Sequence, residues 1–216
     1  MRCPALCCLG WLFIGISSHT AHGASSAPDE FASVLRYQPN EAHGQKLFDT
    51  CAACHGNDGS GASDGTVPAV AAQHFRVVVH ALVSYRYKER SDPRMQHFTD
   101  DHHLSGLQDI ADVAAYVSRL PPTHSSALRG GGEEMKKAAE IYAGRCASCH
   151  GYVGEGNNAK RYPRIAGQHP EYLLDQLQPA AEGRRPHFSP AHIRLLKSVN
   201  RAEVVGLAAY LSRLGS

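Results

Sequence analysis

The string Cys-x-x-Cys-His occurs twice in this chain, as Cys51-Ala52-Ala53-Cys54-His55 and as Cys146-Ala147-Ser148-Cys149-His150. It constrains the fold more than any other feature because it dictates a covalent partner. C-x-x-C-H is the attachment site of a c-type haem. Two thiols add to the porphyrin vinyl groups, and the adjacent His falls beneath the ring as the proximal iron ligand. Cys51, Cys54, Cys146 and Cys149 are therefore the candidate attachment points for two haem c groups, and His55 and His150 the candidate proximal ligands. One copy alone is compatible with half a zinc site. Two copies, with no other cysteine beyond Cys8, point to haem.

Residues 1–24 read as a secretory signal. Arg2 is its charged start, Ala5 to Ile16 its apolar core, and Ala21-His22-Gly23-Ala24 a plausible cleavage region. The apolar run is well short of the ~20 residues that span a bilayer, so the mature chain is expected to have no membrane span. Cys7 stands too near the start for a lipoprotein box, and Cys3, Cys7 and Cys8 leave with the leader. The remaining cysteines all belong to the haem strings, which excludes a disulfide framework in an oxidising compartment. Export to the periplasm and covalent haem attachment outside the cytoplasm are consistent with one another.

The rest of the chain repeats at a period of 94–95 residues. Gly56 and Gly151, Pro68 and Pro163, and Gln73-His74 and Gln168-His169 correspond. Both halves close on one pattern, Ala114-Ala115-Tyr116-Val117-Ser118-Arg119-Leu120 and Ala208-Ala209-Tyr210-Leu211-Ser212-Arg213-Leu214. Each half reads as mostly helical, giving an all-α chain. Phe75, Val78, Val79, Leu82 and Val83 fall at helical spacing within a helix from about His74 to Arg86. The valines there favour a strand by propensity, but the matching Tyr172 to Leu177 is better helix material. Final helices are expected over about Gln108–Leu120 and Arg201–Leu214, with Tyr116 and Tyr210 packing against the porphyrin. A helix should also open at Glu133-Glu134, since acids suit an N-terminus. The glycine-rich stretches Gly56–Gly65 and Gly151–Gly156 lack the order of a P-loop and read as plain loops.

Pro121-Pro122 and Gly130-Gly131-Gly132 mark a stiff, then flexible connection. The expected organisation is a first domain over 38–122, a linker over 123–132 and a second domain over 133–216. Net charge is +2 and says little by itself. Its distribution says more: 24–124 holds 8 Lys/Arg against 12 Asp/Glu, and 125–216 holds 13 against 8. Such asymmetry can orient a protein on a charged redox partner. No dense basic run suggests nucleic acid.

The leader, Cys51 to Gly56, Pro68 with Gln73, the closing Asp109-Ile110-Ala111-Asp112-Val113-Ala114-Ala115-Tyr116 helix, and the repetition of the whole resemble the dihaem cytochrome c4 family. Tyr162-Pro163-Arg164-Ile165-Ala166-Gly167-Gln168-His169 with Tyr172 is particularly similar. The resemblance covers nearly all the mature chain. It implies two class I cytochrome c domains in tandem, haems close enough for internal electron exchange, and a periplasmic electron carrier, often feeding a terminal oxidase.

That family places a Met opposite each proximal His, and here the chain departs from it. Beyond the leader only Met95 and Met135 are present. Met135 precedes the second haem string and reads as core or surface. In the second half the family register points to His192, with an open five-coordinate iron as the competitor. In the first half it points to His97, two residues from Met95. Imidazole and thioether are both competent distal ligands, so the first haem takes Met95 or His97. His74, His102, His103, His169 and His187 read as surface or hydrogen-bonded positions.

Three functions are compatible with this pattern. The leading one is electron transfer between redox donors and acceptors, a membrane oxidase or dehydrogenase among them, by a monomer with no substrate chemistry and no catalytic residue. A small haem peroxidase or oxidoreductase would need an open or displaceable sixth site on the second haem. A third reading is the electron-transfer subunit of a dehydrogenase complex.

Overall fold

The computed structural model describes residues 26–123, 132–185 and 188–215. The expected leader, most of the expected linker and His187 lie outside the described residues.

In the first half, α1 (Ala27–Val34) opens on a capping box between Ser26 and Asp29. It lies upstream of residue 38, yet buries Ala27 and Val34 in the first core. The Asn40 side chain caps α2 (Glu41–His55), accepting the His43 N–H; the helix stops at Gly56, where φ is 76°. The haem string is thus the last turn of a capped helix. Next come α3 (Phe75–Arg86), the short α4 (Pro93–Phe98) and α5 (Leu107–Arg119). Helix α5 crosses α2 and α3 and buries Ile110, Ala111, Val113, Ala114 and Val117. Full burial of an aliphatic side chain such as Ile110 contributes about 1.5–3 kcal/mol. The valines of α3 are helical because Val79 and Val83 fall on the face that meets this core.

The second half rebuilds the frame with α6 (Glu133–Ile141), a π-helical turn (Tyr142–Cys146), α7 (Ala147–His150), α8 (Pro170–Ala181), α9 (Pro190–Lys197) and α10 (Arg201–Leu211). Helix α10 packs on α6 and α8. It ends three residues before the expected Leu214, because Arg213 and Leu214 donate to Tyr210 and Leu211, tightening the chain into turns. Among the described residues there is no strand, only an isolated bridge between Asn157 and Tyr162. The chain is all-α, in two tandem units.

The π turn explains a slip in the repeat. Phe48 stands three residues before Cys51, whereas Tyr142 stands four before Cys146. A π turn stores one extra residue without breaking the helix. The aromatic contacts therefore stay equivalent: Phe48 meets Tyr116 at 5.4 Å between ring centroids, and Tyr142 meets Tyr210 at 5.6 Å.

Candidate haem centres

Each haem string delivers one imidazole at a helix end, and the chain fixes that ring the same way in both halves. His55 is 7% exposed, and its Nδ1 lies 3.0 Å from the Pro68 carbonyl oxygen. His150 Nδ1 lies 3.0 Å from the Pro163 carbonyl oxygen. A carbonyl only accepts, so the ring must donate from Nδ1, leaving the Nε2 lone pair for a metal. Burial pushes the pKa of both rings below the ordinary histidine value, which holds them in the neutral form that ligates.

The glycine-rich loops serve this arrangement. Gly61 and Gly156 donate their N–H to the carbonyls of His55 and His150 at 2.8 and 2.7 Å. A Cβ on Gly61 would sit 2.6 Å from the Pro68 carbonyl carbon, and one on Gly156 2.6 Å from that of Pro163. With φ at 77° and 74°, only glycine lets the loop approach the segment that holds the ring.

The four described cysteines are free of disulfides. Burial raises the Cys51 thiol to about 11 and shifts Cys146 in the same direction, so neither is a ready thiolate for redox chemistry. Cys54 and Cys149 are exposed.

The opposite faces differ between the halves. The His192 ring, on α9, faces that of His150 at 6.1 Å between centroids. Two imidazoles on opposite sides of one iron, with metal–nitrogen bonds of about 2 Å, set their centroids ~6.3 Å apart. Burial first, and the neighbouring His150 second, lower the His192 pKa and keep it neutral. Phe188 covers its flank at 5.0 Å. In the first half, the start of α4 approaches the haem string: Arg94 and Asp92 both act electrostatically on His55. Met95 follows there, half-buried, its N–H capped by Asp92. The His97 side chain is 62% exposed and turns to Asp100 at 3.7 Å and to the His103 ring at 4.4 Å.

The residues present fit covalently bound porphyrin iron. Each half offers two thiols and a neutral, oriented imidazole, and the second half adds an opposed imidazole at a separation that admits a metal. Two guanidinium nitrogens, Arg76 Nε and Arg90 Nε, are buried without a partner. The Arg90 guanidinium also reaches the Tyr172 hydroxyl of the second half, so a group bearing carboxylates, as porphyrin does, matches its unpartnered Nε at that contact between halves.

Sequence reasoning missed the ring-holding carbonyls of Pro68 and Pro163. Their signal was in plain view as two prolines at one offset from each haem string.

The cytochrome c family profile matches residues 41–121 and again 135–215. The chain is 29% identical over 186 residues to cytochrome c4 of Azotobacter vinelandii, covering 80% of this chain and 88% of that one. It is also 29% identical over 206 residues to a thiosulfate dehydrogenase electron acceptor of Stutzerimonas stutzeri, covering 85% and 92%. The crystal structure of reduced recombinant cytochrome c4 from Pseudomonas stutzeri superposes with a TM-score of 0.73 at 24% identity, covering 82% of this chain and all of that one. No described helix is long and apolar enough to cross a membrane.

Proposed function

Because this chain belongs to the cytochrome c family and carries two of its domains in tandem, we propose that it is an exported dihaem electron carrier of the cytochrome c4 kind. It holds two haem c groups. Cys51 and Cys54 attach the first and Cys146 and Cys149 the second, with His55 and His150 as proximal ligands. When bound, each haem supplies an iron that takes up or releases one electron. The chain's part is to hold both rings so that the exchange needs little rearrangement. The observation that carries this reading is the pair of neutral imidazoles, His55 buried and His150 partly so, each locked by a proline carbonyl at the end of a Cys-x-x-Cys helix.

On the distal side, Met95 completes the first site and His192 the second. His97 is committed to a surface cluster with Asp100 and His103, which favours Met95. The His150–His192 spacing favours a bis-imidazole second site over an open one, and this argues against the peroxidase reading. Thioether ligation raises the potential relative to imidazole. The first haem is then the resting place of the electron, and the second the lower-potential partner.

The named role of the Stutzerimonas relative suggests a periplasmic dehydrogenase as donor; a terminal oxidase is the matching acceptor. The acidic first half and basic second half give the two partners differently charged docking ends. The test is a haem count on protein exported from a host that matures c-type cytochromes. Two haems per chain that survive acid extraction, with both irons low-spin, support the reading. Freely extractable colour, or zinc in place of iron, overturns it.

A further inference from the structure

Gln73 and Gln168 occupy one position of the repeat, and each reaches across to the other half. Gln168 Nε2 donates to the Ala69 carbonyl at 2.8 Å, and the Ala69 N–H donates to Gln168 Oε1 at 3.0 Å. Gln73 Nε2 donates to the Arg164 carbonyl at 2.9 Å, and the Arg164 N–H donates to Gln73 Oε1 at 2.9 Å. His74 and His169 repeat the exchange, donating from Nε2 to the carbonyls of Glu155 at 2.8 Å and Ser60 at 2.7 Å. Ser60 and Glu155, and Ala69 and Arg164, are each pairs 95 residues apart. The contact is thus reciprocal about a pseudo-two-fold axis.

The peptide unit that each glutamine grips is informative. The Ala69 N–H and the Pro68 carbonyl belong to one peptide group, and that carbonyl accepts the proton of His55 Nδ1. Likewise the Arg164 N–H and the Pro163 carbonyl form one group, and it holds His150. One amide therefore separates a glutamine of one half from the ligand imidazole of the other. Accepting from the N–H polarises the amide and makes its carbonyl a stronger acceptor. A stronger acceptor at Nδ1 makes the imidazole a more basic ligand, which favours ferric iron. The gap bounded in part by Ala69, Gln73, Arg164 and Gln168 is about 10 Å³, at the lower limit for one water, so solvent does not readily replace the glutamines.

We propose that Gln168 is a positioning residue for the first haem and Gln73 for the second, so that each domain sets the reduction potential of its neighbour's iron. This rests on reading His55 and His150 as proximal ligands, which the haem count and low-spin spectrum of the parent protein check separately. The experiment is potentiometric titration of the dihaem protein and its variants. Gln168→Ala raises the potential of the first haem and leaves the second unmoved; Gln73→Ala does the reverse. Gln168→Met, which keeps the side-chain length but removes the acceptor, also raises the potential of the first haem, and it keeps the test open should the alanine variant not fold. His74→Ala, which removes a cross-domain bond but spares the proline peptides, is the control for loosening of the contact. Equal shifts of both haems in each glutamine variant, or a shift in neither, overturn the proposal.

A second inference stands on a different cluster. His97 in the last turn of α4 and Asp100 and His103 just after it have their donor atoms within 4.8 Å of one another. Two imidazoles bound cis to one metal, at metal–nitrogen distances of about 2 Å, place their centroids ~4.5 Å apart; those of His97 and His103 are 4.4 Å apart. Asp100 lies 2.9 Å from His103 and 3.7 Å from His97, completing a two-histidine, one-carboxylate set. We infer that this cluster binds a divalent first-row transition metal distinct from haem iron, with copper(II) tightest of the series. The test titrates the dihaem protein with copper(II) and zinc(II), read by calorimetry and by electron paramagnetic resonance for copper. One equivalent bound at micromolar concentration and lost in both His103→Ala and Asp100→Asn supports the site. Binding that both variants retain, or no binding, overturns it.

Discussion

The two halves are built on one plan but are held together differently, and the difference lies in where polar groups are buried. In the first half, Asp112 of α5 is 1% exposed and accepts from Asn40 N at 2.6 Å, Gln108 Nε2 at 2.6 Å and the His43 ring at 2.8 Å. Its repeat partner in α10 is Gly206, which has no side chain to pin. The small residue has changed sides. Gly44 of α2 lies against the Asp112 backbone, while in the second half Ala138 of α6 lies against Gly206. The first half also has Arg86, which bonds Glu30 at 2.8 Å and the carbonyls of Thr99 and Leu104 at 2.8 and 2.6 Å. That fork ties α1 to the segment just after Met95; its repeat partner is Ala181. Close helix contact is thus achieved either by glycine on one helix with a buried carboxylate on the other, or by an apolar pair of small residues.

The largest effect should come from removing Arg86. Arg86→Met leaves the Glu30 carboxylate buried without its cation and is expected to destabilise by about 3–5 kcal/mol, measured by denaturant unfolding of the dihaem protein. The paired glycines give the next contrast. A methyl at Gly44 overlaps the Asp112 carbonyl, so Gly44→Ala should cost about 1–3 kcal/mol or more. At Gly206 the nearest atoms are 3.6 and 3.7 Å away, and Gly206→Ala should gain up to about 1 kcal/mol of helix propensity. Equal losses at both positions would break the comparison. The smallest effect tests the π turn: the Tyr142 hydroxyl donates to the Gly151 carbonyl, whereas Phe48 has none to offer. Tyr142→Phe should cost about 0.5–1.5 kcal/mol and leave the haem spectrum unchanged.

The haem strings, the duplication and the closing helices were legible because each is a local pattern repeated. Helix α1 and the short helices α4 and α9, which carry Met95 and His192, were not. Too brief for periodicity to show, α4 and α9 are set by their Asp92 and Ser189 caps and by the prolines that follow. Gln73-His74 and Gln168-His169 stood out as a repeated pair, but their bonds run to the other half, and a one-dimensional pattern carries no such information. The π turn was readable in retrospect from the spacing of Phe48 and Tyr142 to their cysteines. His97 shows why register alone left two distal candidates: the turn after α4 brings Asp100 and His103 against its ring, which only the folded chain reveals.

The central claim is that one duplicated frame holds two irons with unlike distal partners. The most direct measurement is the near-infrared absorption of the oxidised dihaem protein, where sulfur bound to ferric iron gives a charge-transfer band. The expected result is a band of single-haem intensity that disappears in Met95→Ala and persists in His97→Ala and His192→Ala. A band that survives Met95→Ala, or a parent protein that shows none, contradicts it.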